Sequence, residues 1–438
     1  MSDSFENEQE FGIMSTSLES RDDPNAFIVD VMDLNEEEEA IWLQQSIYKL
    51  HSFIKDRNEN LYEPLLVSIG PYHHGKKQLM PMEVHKHRAL RHFIERSRVQ
   101  IQEYKNSLMV EVKNLQKSYD QLDEEYLRNP DKFIGLMLVD GCFILEFMDI
   151  LAGAPKDYAP NDPVFSYYGC IVNYNCVMRD MFLLENQLPY LVLEKLVSVS
   201  QGRDQAPQDR VRAVLSQMMM FSPDTDPGCH MLDMYMTGLF RGPATPEHEA
   251  DRIGHLSASQ LHMAGIQFRK ITNFGGISFD RNRSTLNLPA LNINEYSLST
   301  FMNLKAYELR GTTNRVFNSY IRLMDSLVKS VEDVKLLDSH RIIMNFLESN
   351  EAVVKLLRDL AKDTVVDKNS NSYIARKEMT KHYHDIMKPW TKGRKRQVIY
   401  WISNRLKPYV IWWISDFQET YFTHPWSMLS AVAAACLL

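Results

Sequence analysis

The residues with the types and spacing to do chemistry fall in two groups. The first lies in the stretch Glu63–Arg96, where Gly70-Pro71-Tyr72-His73-His74-Gly75-Lys76-Lys77 matches a phosphate-binding loop up to its last residue, directly after an apolar run. Such a loop cradles phosphate in successive backbone N–H groups and holds magnesium on a Ser or Thr hydroxyl. Pro71 removes one of those N–H groups, and Lys77 stands where the hydroxyl belongs. The next helical pattern begins near Met82, too late to aim its N-terminus at the loop. The run is therefore read as a turn. His73, His74, His85, His87 and His92 could form a metal or general-base cluster, and His85 and His92, seven apart, share a helix face. No His-Glu-x-x-His frame organises them, and Lys76, Lys77, Lys86, Arg88 and Arg91 make a solvated or acid-paired surface the simpler reading.

The second group is Asp140, Glu146, Asp180 and Glu185, carboxylates set in otherwise apolar helices. Burial shifts such groups towards acid/base work, and glycosidases keep their catalytic pairs this way. Buried carboxylates are as readily satisfied by cations or backbone N–H groups, and Arg179 and Lys195 are at hand. Geometry discriminates: one solvent-reachable pocket would favour an enzyme, and separate pairing in the core would favour a structural role. No nucleophile elbow, kinase signature or dinucleotide fingerprint is present.

The elements that must position these residues are mostly helical. The segment from Ile41, IWLQQSIYKLHSFI, has apolar residues three and four apart, and Leu61–Ile69 reads as a short extended segment. Met82 to Tyr126 reads as one long helical pattern broken once, with Ile101, Tyr104, Leu108, Val112, Leu115, Tyr119, Leu122 and Tyr126 on one stripe. Asn129-Pro130 predicts an N-cap and first helical residue for a helix that is apolar nearly all round and so buried. Helix resumes after a loop at 152–163 and breaks before Pro189, and 200–260 reads as mobile connections with short helices. A β-hairpin is expected around Arg281-Asn282-Arg283, where Asn282 opens a glycosylation sequon, and 299–360 is helical again.

At 438 residues, 44% hydrophobic and 24% charged, the chain can bury a sizeable core. A net charge of -8 argues against nucleic acid as a partner. Five cysteines without metal-type spacing indicate neither a disulfide framework nor a zinc site, and a reducing compartment is the simpler expectation. Residues 1–40 are expected to be an acidic, disordered arm without a secretory signal, and 41–385 the helical domain. Residues 386–425 supply Trp390, Lys392, Arg394, Lys395, Arg396, Trp412 and Trp413, the composition of a basic, aromatic membrane flank. From Trp426 to the end, 426–438, the chain is apolar or small for about thirteen residues, short of the ~20 that cross a bilayer, so a truncated or interfacial anchor is expected.

Several blocks, in order, carry a family resemblance: EPLLVSIGPYHHGKKQLMPMEVHKHRAL, MLVDGCFILEFM, RDMFLLENQLPYLVLEKL, LSASQLHMAGIQFRK, STLNLPALNI and YFTHPWSMLSAVAAA. From about Ile47 onward the chain resembles the plant domain-of-unknown-function 247 family, with Gly70, Pro71, Tyr72, His73, His74, Gly75, Asp140, Gly141, Asp180, Glu185, Asn186, Gln187 and Pro189 in its signature blocks. The resemblance implies a plant-specific, mostly helical protein ending in one transmembrane helix, with no established enzymatic activity. Some grass members look like pollen-side determinants of self-incompatibility that act with small secreted pistil proteins. The chain departs from the family pattern where the apolar end stops early and where the Trp- and Lys/Arg-rich stretch from Lys392 to Trp413 is longer than usual.

The expectation is thus a mainly α protein: a single large helical domain with a small β-hairpin, an acidic arm and a C-terminal membrane-anchor helix. It has no catalytic residue, cofactor or metal. It is tethered through its C-terminus, its main domain is cytosolic by the positive-inside argument, and a protein is its partner. The alternative is an enzyme using the four carboxylates or the His73–His92 cluster.

Overall fold

The computed structural model describes residues 44–55, 59–153, 157–201, 228–240, 255–310, 316–362 and 364–391. The chain divides into two units, Met1–Gln45 and Ser46–Leu438, and the second carries the fold described here. After a single helical turn at Ser52–Lys55 come α1 (Met80–Ser97), α2 (Ile101–Met109), α3 (Val112–Lys117), α4 (Glu124–Arg128), α5 (Pro130–Leu151), α6 (Tyr167–Met181) and α7 (Tyr190–Gln201). Then follow α8 (Met231–Phe240), α9 (Ala258–Met263), β1 (Gln267–Ile271), β2 (Ser278–Asp280), β3 (Thr285–Pro289) and β4 (Leu291–Ile293). The remainder is α10 (Ser297–Arg310), α11 (Val316–Leu327), α12 (Val331–Ser339), β5 (Ile343–Asn345), α13 (Asn350–Leu360) and α14 (Asn371–Thr391). The architecture is mainly helical with two small sheets.

Local signals place several of these elements. The Asn129 side chain accepts from the Lys132 N–H at 3.1 Å and Pro130 takes the first position of α5, as the sequence predicts. Sixteen residues of α5 are buried, among them Asp140 and Glu146, and α1, α2, α4, α6 and α7 all pack against it. This central helix positions the candidate site.

Two sequence expectations are corrected. The stretch from Met82 to Tyr126, expected as one long helical pattern broken once, is four helices: Arg98 and Gln121 adopt left-handed backbone with φ 59° and 51° at two of the breaks, and the third falls at Val110–Glu111. The stripe nevertheless stays buried at Tyr104, Leu108, Leu115, Tyr119, Leu122 and Tyr126. Its period reports a shared buried face and not an unbroken rod. The helical spacing around Ile47 is likewise misleading: Ile47 bridges Tyr119 in parallel, donating to Ser118 O and accepting from the Asp120 N–H.

The hairpin exists and is part of more. β2 and β3 pair antiparallel across the expected turn, where Asp280 accepts from the N–H groups of Asn282 and Arg283, and Asn282 is exposed. β1 adds in parallel on the other edge of β3, so Phe268 and Phe279 flank Leu286 from both sides. The rest of STLNLPALNI becomes β4, which pairs in parallel with β5. Among the described residues no helix is long and apolar enough to cross a membrane. The expected acidic arm and apolar end lie outside the described residues.

Candidate functional site

Leu65 to Gly70 belongs to no helix or strand, yet Val67, Ser68, Ile69 and Gly70 are buried, so their backbone N–H groups need acceptors from elsewhere. Helix side chains supply them. Asp180, near the end of α6, accepts from the N–H groups of Leu65, Leu66 and Val67 at 3.0, 2.7 and 3.0 Å. Asn186 accepts from the Ile69 N–H at 2.7 Å and donates to Val67 O at 3.0 Å. Asp140, in the middle of α5, accepts from the Gly70 N–H at 2.8 Å. The irregular segment is thus held as a strand would be, with side chains in place of a neighbouring backbone.

Cations complete the arrangement. Lys86 Nζ lies 2.5 Å from Asp140 Oδ1 and 2.7 Å from Glu83 Oε1 and donates to Ser68 O at 2.9 Å, with the lysine and Asp140 wholly buried. Burial pushes the Asp140 carboxyl above its ordinary value. Burial opposes the charge of Lys86 too, but Asp140 and Glu83 outweigh it and hold the ammonium above its usual range. Two acids share one cation, which satisfies both directions. Arg179 binds its neighbour Asp180 at 2.8 Å and reaches Glu63 O and Asn60 O. Burial still raises Asp180, against its three N–H donors and Arg179.

The other two carboxylates are held separately. Glu146 forms a two-pronged pair with Arg96 at 2.7 and 2.8 Å and accepts from the Tyr158 hydroxyl at 2.9 Å. Glu185 accepts from the Leu50 N–H and from Lys55, each at 2.5 Å. Each of the four carboxylates has its own partners inside the fold. Arg179 is one of the two cations the sequence suggested for them, whereas Lys195 instead pairs with Glu111.

The turn residues serve the same construction. Gly70 has φ +73°, and a Cβ there would lie 2.5 Å from Gln187 O, so neither the backbone nor the space admits a side chain. Pro71 follows, and Gly75 has φ +82° with open space around it. The Tyr72 hydroxyl donates to Ile47 O and Asp120 O, and its ring meets Tyr119 edge-on. Gln187 donates to Met181 O and Leu183 O and accepts from the Leu232 N–H, while its own carbonyl accepts from the Tyr119 hydroxyl. Pro189 bridges His230. Gly141 lets α5 approach α7, since a Cβ there would stand 2.5 Å from Leu196 Cδ1.

The histidines do not converge. His73 is buried, with Nδ1 3.5 Å from Glu63 Oε2 and Nε2 3.8 Å from Glu185 Oε2, and neither ring nitrogen makes a hydrogen bond. Burial, then the charge of Lys76, lowers it to about 4. His74 sits 3.9 Å from Glu83, His85 faces Arg88, His92 faces Asp157 and His87 is exposed. Among the described residues no three His, Cys, Asp or Glu side chains gather as a metal site requires. The Gly70–Lys77 run has no phosphate-loop geometry: its first N–H already serves Asp140, and α1 starts only at Met80.

Three further polar residues belong to the same construction. Lys86 was grouped with a charged surface, but it follows Met82 by four and precedes Ala89 by three on the buried face of α1, a signal that could have placed it inside. Glu83 shares that helix. Asn303 of α10 accepts from the Leu184 N–H and donates to Leu61 O, a contact no local pattern announces. Of the expected membrane-flank residues, Trp390 lies on α14, and Lys392, Arg394, Lys395, Arg396, Trp412, Trp413 and Trp426 lie outside the described residues.

Fold and site together define a mainly helical protein built around an irregular segment that helix side chains satisfy from within. Comparison with known proteins places it more narrowly: a family model described as a plant protein of unknown function, DUF247, matches residues 47–438, and the chain belongs to that family. It is 26% identical over 418 residues to UPF0481 protein At3g47200 of Arabidopsis thaliana, covering 86% of this chain and 80% of that protein. It is 21% identical over 470 residues to Putative UPF0481 protein At3g02645 of the same plant, covering 81% and 86% respectively. No solved structure matches the chain.

Proposed function

We propose that the protein is a non-enzymatic recognition or signalling protein, tethered to a membrane at its C-terminal side with its helical domain in the cytosol. One observation carries the first half of this reading: Asp140, Glu146, Asp180 and Glu185, the groups best suited to acid/base work, are each engaged in holding backbone or a cation inside the fold. The tether rests on composition, with Lys392, Arg394, Lys395 and Arg396 among tryptophans ahead of the apolar run 426–438. Fractionation of native tissue tests it. The full chain is expected in the membrane pellet and a chain lacking 386–438 in the supernatant; a full chain wholly in the supernatant refutes the tether.

Orientation has its own test, because Asn282 is exposed on a turn within a glycosylation sequon. A glycan on Asn282 in native material would place the domain on the opposite side. The narrower reading, recognition of a small secreted pistil protein by a pollen-side determinant, rests on the family resemblance alone. Pull-down of the intact protein from pollen challenged with pistil extract is expected to retain such a partner. Unchanged rejection of self pollen that lacks the gene would refute it.

A further inference from the structure

Beside the buried frame, with Glu83 shared between them, α1, α2, α4 and α5 line a groove of about 320 Å³, within the size range of small-molecule sites. Its walls are apolar, with Leu90, Ile101, Leu136 and Val139 among them. Its charged groups are unequally engaged. Glu83 is turned to Lys86 and Ser68, and Lys132 pairs with Glu125 and lies over the Tyr126 ring. Lys105 and His87 line the same groove and make no hydrogen bond or ion pair with any described residue.

Gly135 is the second observation. It lies inside α5, where glycine costs about 1 kcal/mol relative to alanine. Gly141 on the same helix is required by the close approach of Leu196, but a Cβ at Gly135 would meet nothing within 4 Å and no positive φ demands glycine. Its missing side chain deepens the groove and does nothing for the packing. An apolar trough kept open at its floor, with an unpaired lysine and an exposed histidine on its lining, complements an apolar anion.

We propose that this groove binds a small apolar carboxylate, an alkyl or aryl acid. Its hydrocarbon part lies over Gly135 between Leu90, Ile101 and Leu136, and its carboxylate meets Lys105 and His87. No arginine lines the groove, so a phosphate would find no planar fork, whereas a single carboxylate needs only the lysine. This reading is independent of the membrane and recognition roles proposed above.

Calorimetric titration of the full chain with octanoate and with octanol tests it. Octanoate is expected to bind saturably, and octanol, which lacks the charge, about 10-fold more weakly, corresponding to ~1.4 kcal/mol. Lys105→Met should bring octanoate down to the affinity of octanol and leave octanol unchanged. Gly135→Leu should abolish binding of both, with a thermal midpoint no lower than that of the parent. Lack of saturable octanoate binding at millimolar concentration overturns the proposal. So does equal affinity for octanol, or unchanged octanoate affinity in either variant.

Discussion

Lys86 and His73 are both buried and titratable, and the fold treats them oppositely. Lys86 stays charged because two carboxylates and a carbonyl surround it. Lys86→Met would strand Asp140 and Glu83 without their cation, and breaking a buried pair from one side costs ~3–5 kcal/mol. Urea unfolding at neutral pH should show that loss; a loss below 1 kcal/mol would mean the pair is not desolvated as the geometry indicates. His73 stays neutral, its value brought from 6.5 to about 4 by burial first and Lys76 next, against the opposing pull of Glu63. Above pH 6.5 neither folded nor unfolded chain protonates it, so it then carries no penalty. Below that the unfolded chain takes up a proton that the fold refuses, and stability falls until about pH 4, by ~3 kcal/mol in all. Comparing unfolding at pH 7 and pH 5 for the parent and His73→Gln checks the sign. The parent should lose more stability than the variant, and equal losses would remove His73 from the account.

At the scale of elements, legibility depended on how far away the deciding partner lies in sequence. α5 could be placed from its cap, its proline and its apolar surface because all three signals are local. The turn at Arg281-Asn282-Arg283 is readable for the same reason, from the apolar/polar alternation on either side of it, and Asp280 closes it. The parallel addition of β1 was not, since its pairing with β3 is decided by packing and not by a turn. Leu61–Ile69 reads as extended from sequence, but nothing local announces that the N–H groups of Leu65–Gly70 find Asp180, Asn186 and Asp140, side chains from 70 to 119 positions away. The four carboxylates stand out in the sequence as charged groups in apolar helices, and only those distances decide what they hold. The N–H groups of Leu66, Val67, Ile69 and Gly70 should exchange as slowly as those of α5 although they sit in no sheet. Asp180→Ala should speed exchange at Leu66 and Val67 well before Gly70, which Asp140 holds. Uniform loss across all four would show that the segment opens as a unit and that the acceptors do not act individually.

Among the described residues, most buried apolar side chains from Ile47 to Met379 form one connected cluster. Polar contacts tie its distant parts together. Tyr48 donates to Tyr307 O at 2.8 Å, Ser299 donates to Leu61 O, and Asn303 satisfies the N–H of the fully buried Leu184. The segment from 46 to 201 contains all four carboxylates and the Gly70 turn, which makes it look like a self-sufficient half. It is not, because its core is closed by α8, through Leu232 on Gln187 and Tyr235 on Phe182, and by α10, without which the Leu184 N–H is left as a buried orphan. Residues 46–201 expressed alone should therefore remain compact but loosely packed, with helical far-ultraviolet dichroism, weak near-ultraviolet dichroism and strong binding of a hydrophobic dye. Residues 46–391 should unfold in one transition, with near- and far-ultraviolet signals coinciding. If the shorter piece unfolds cooperatively with a dispersed amide spectrum, the two halves are separate folding units. The contacts of Asn303 and Tyr48 would then be an interface and not part of one core.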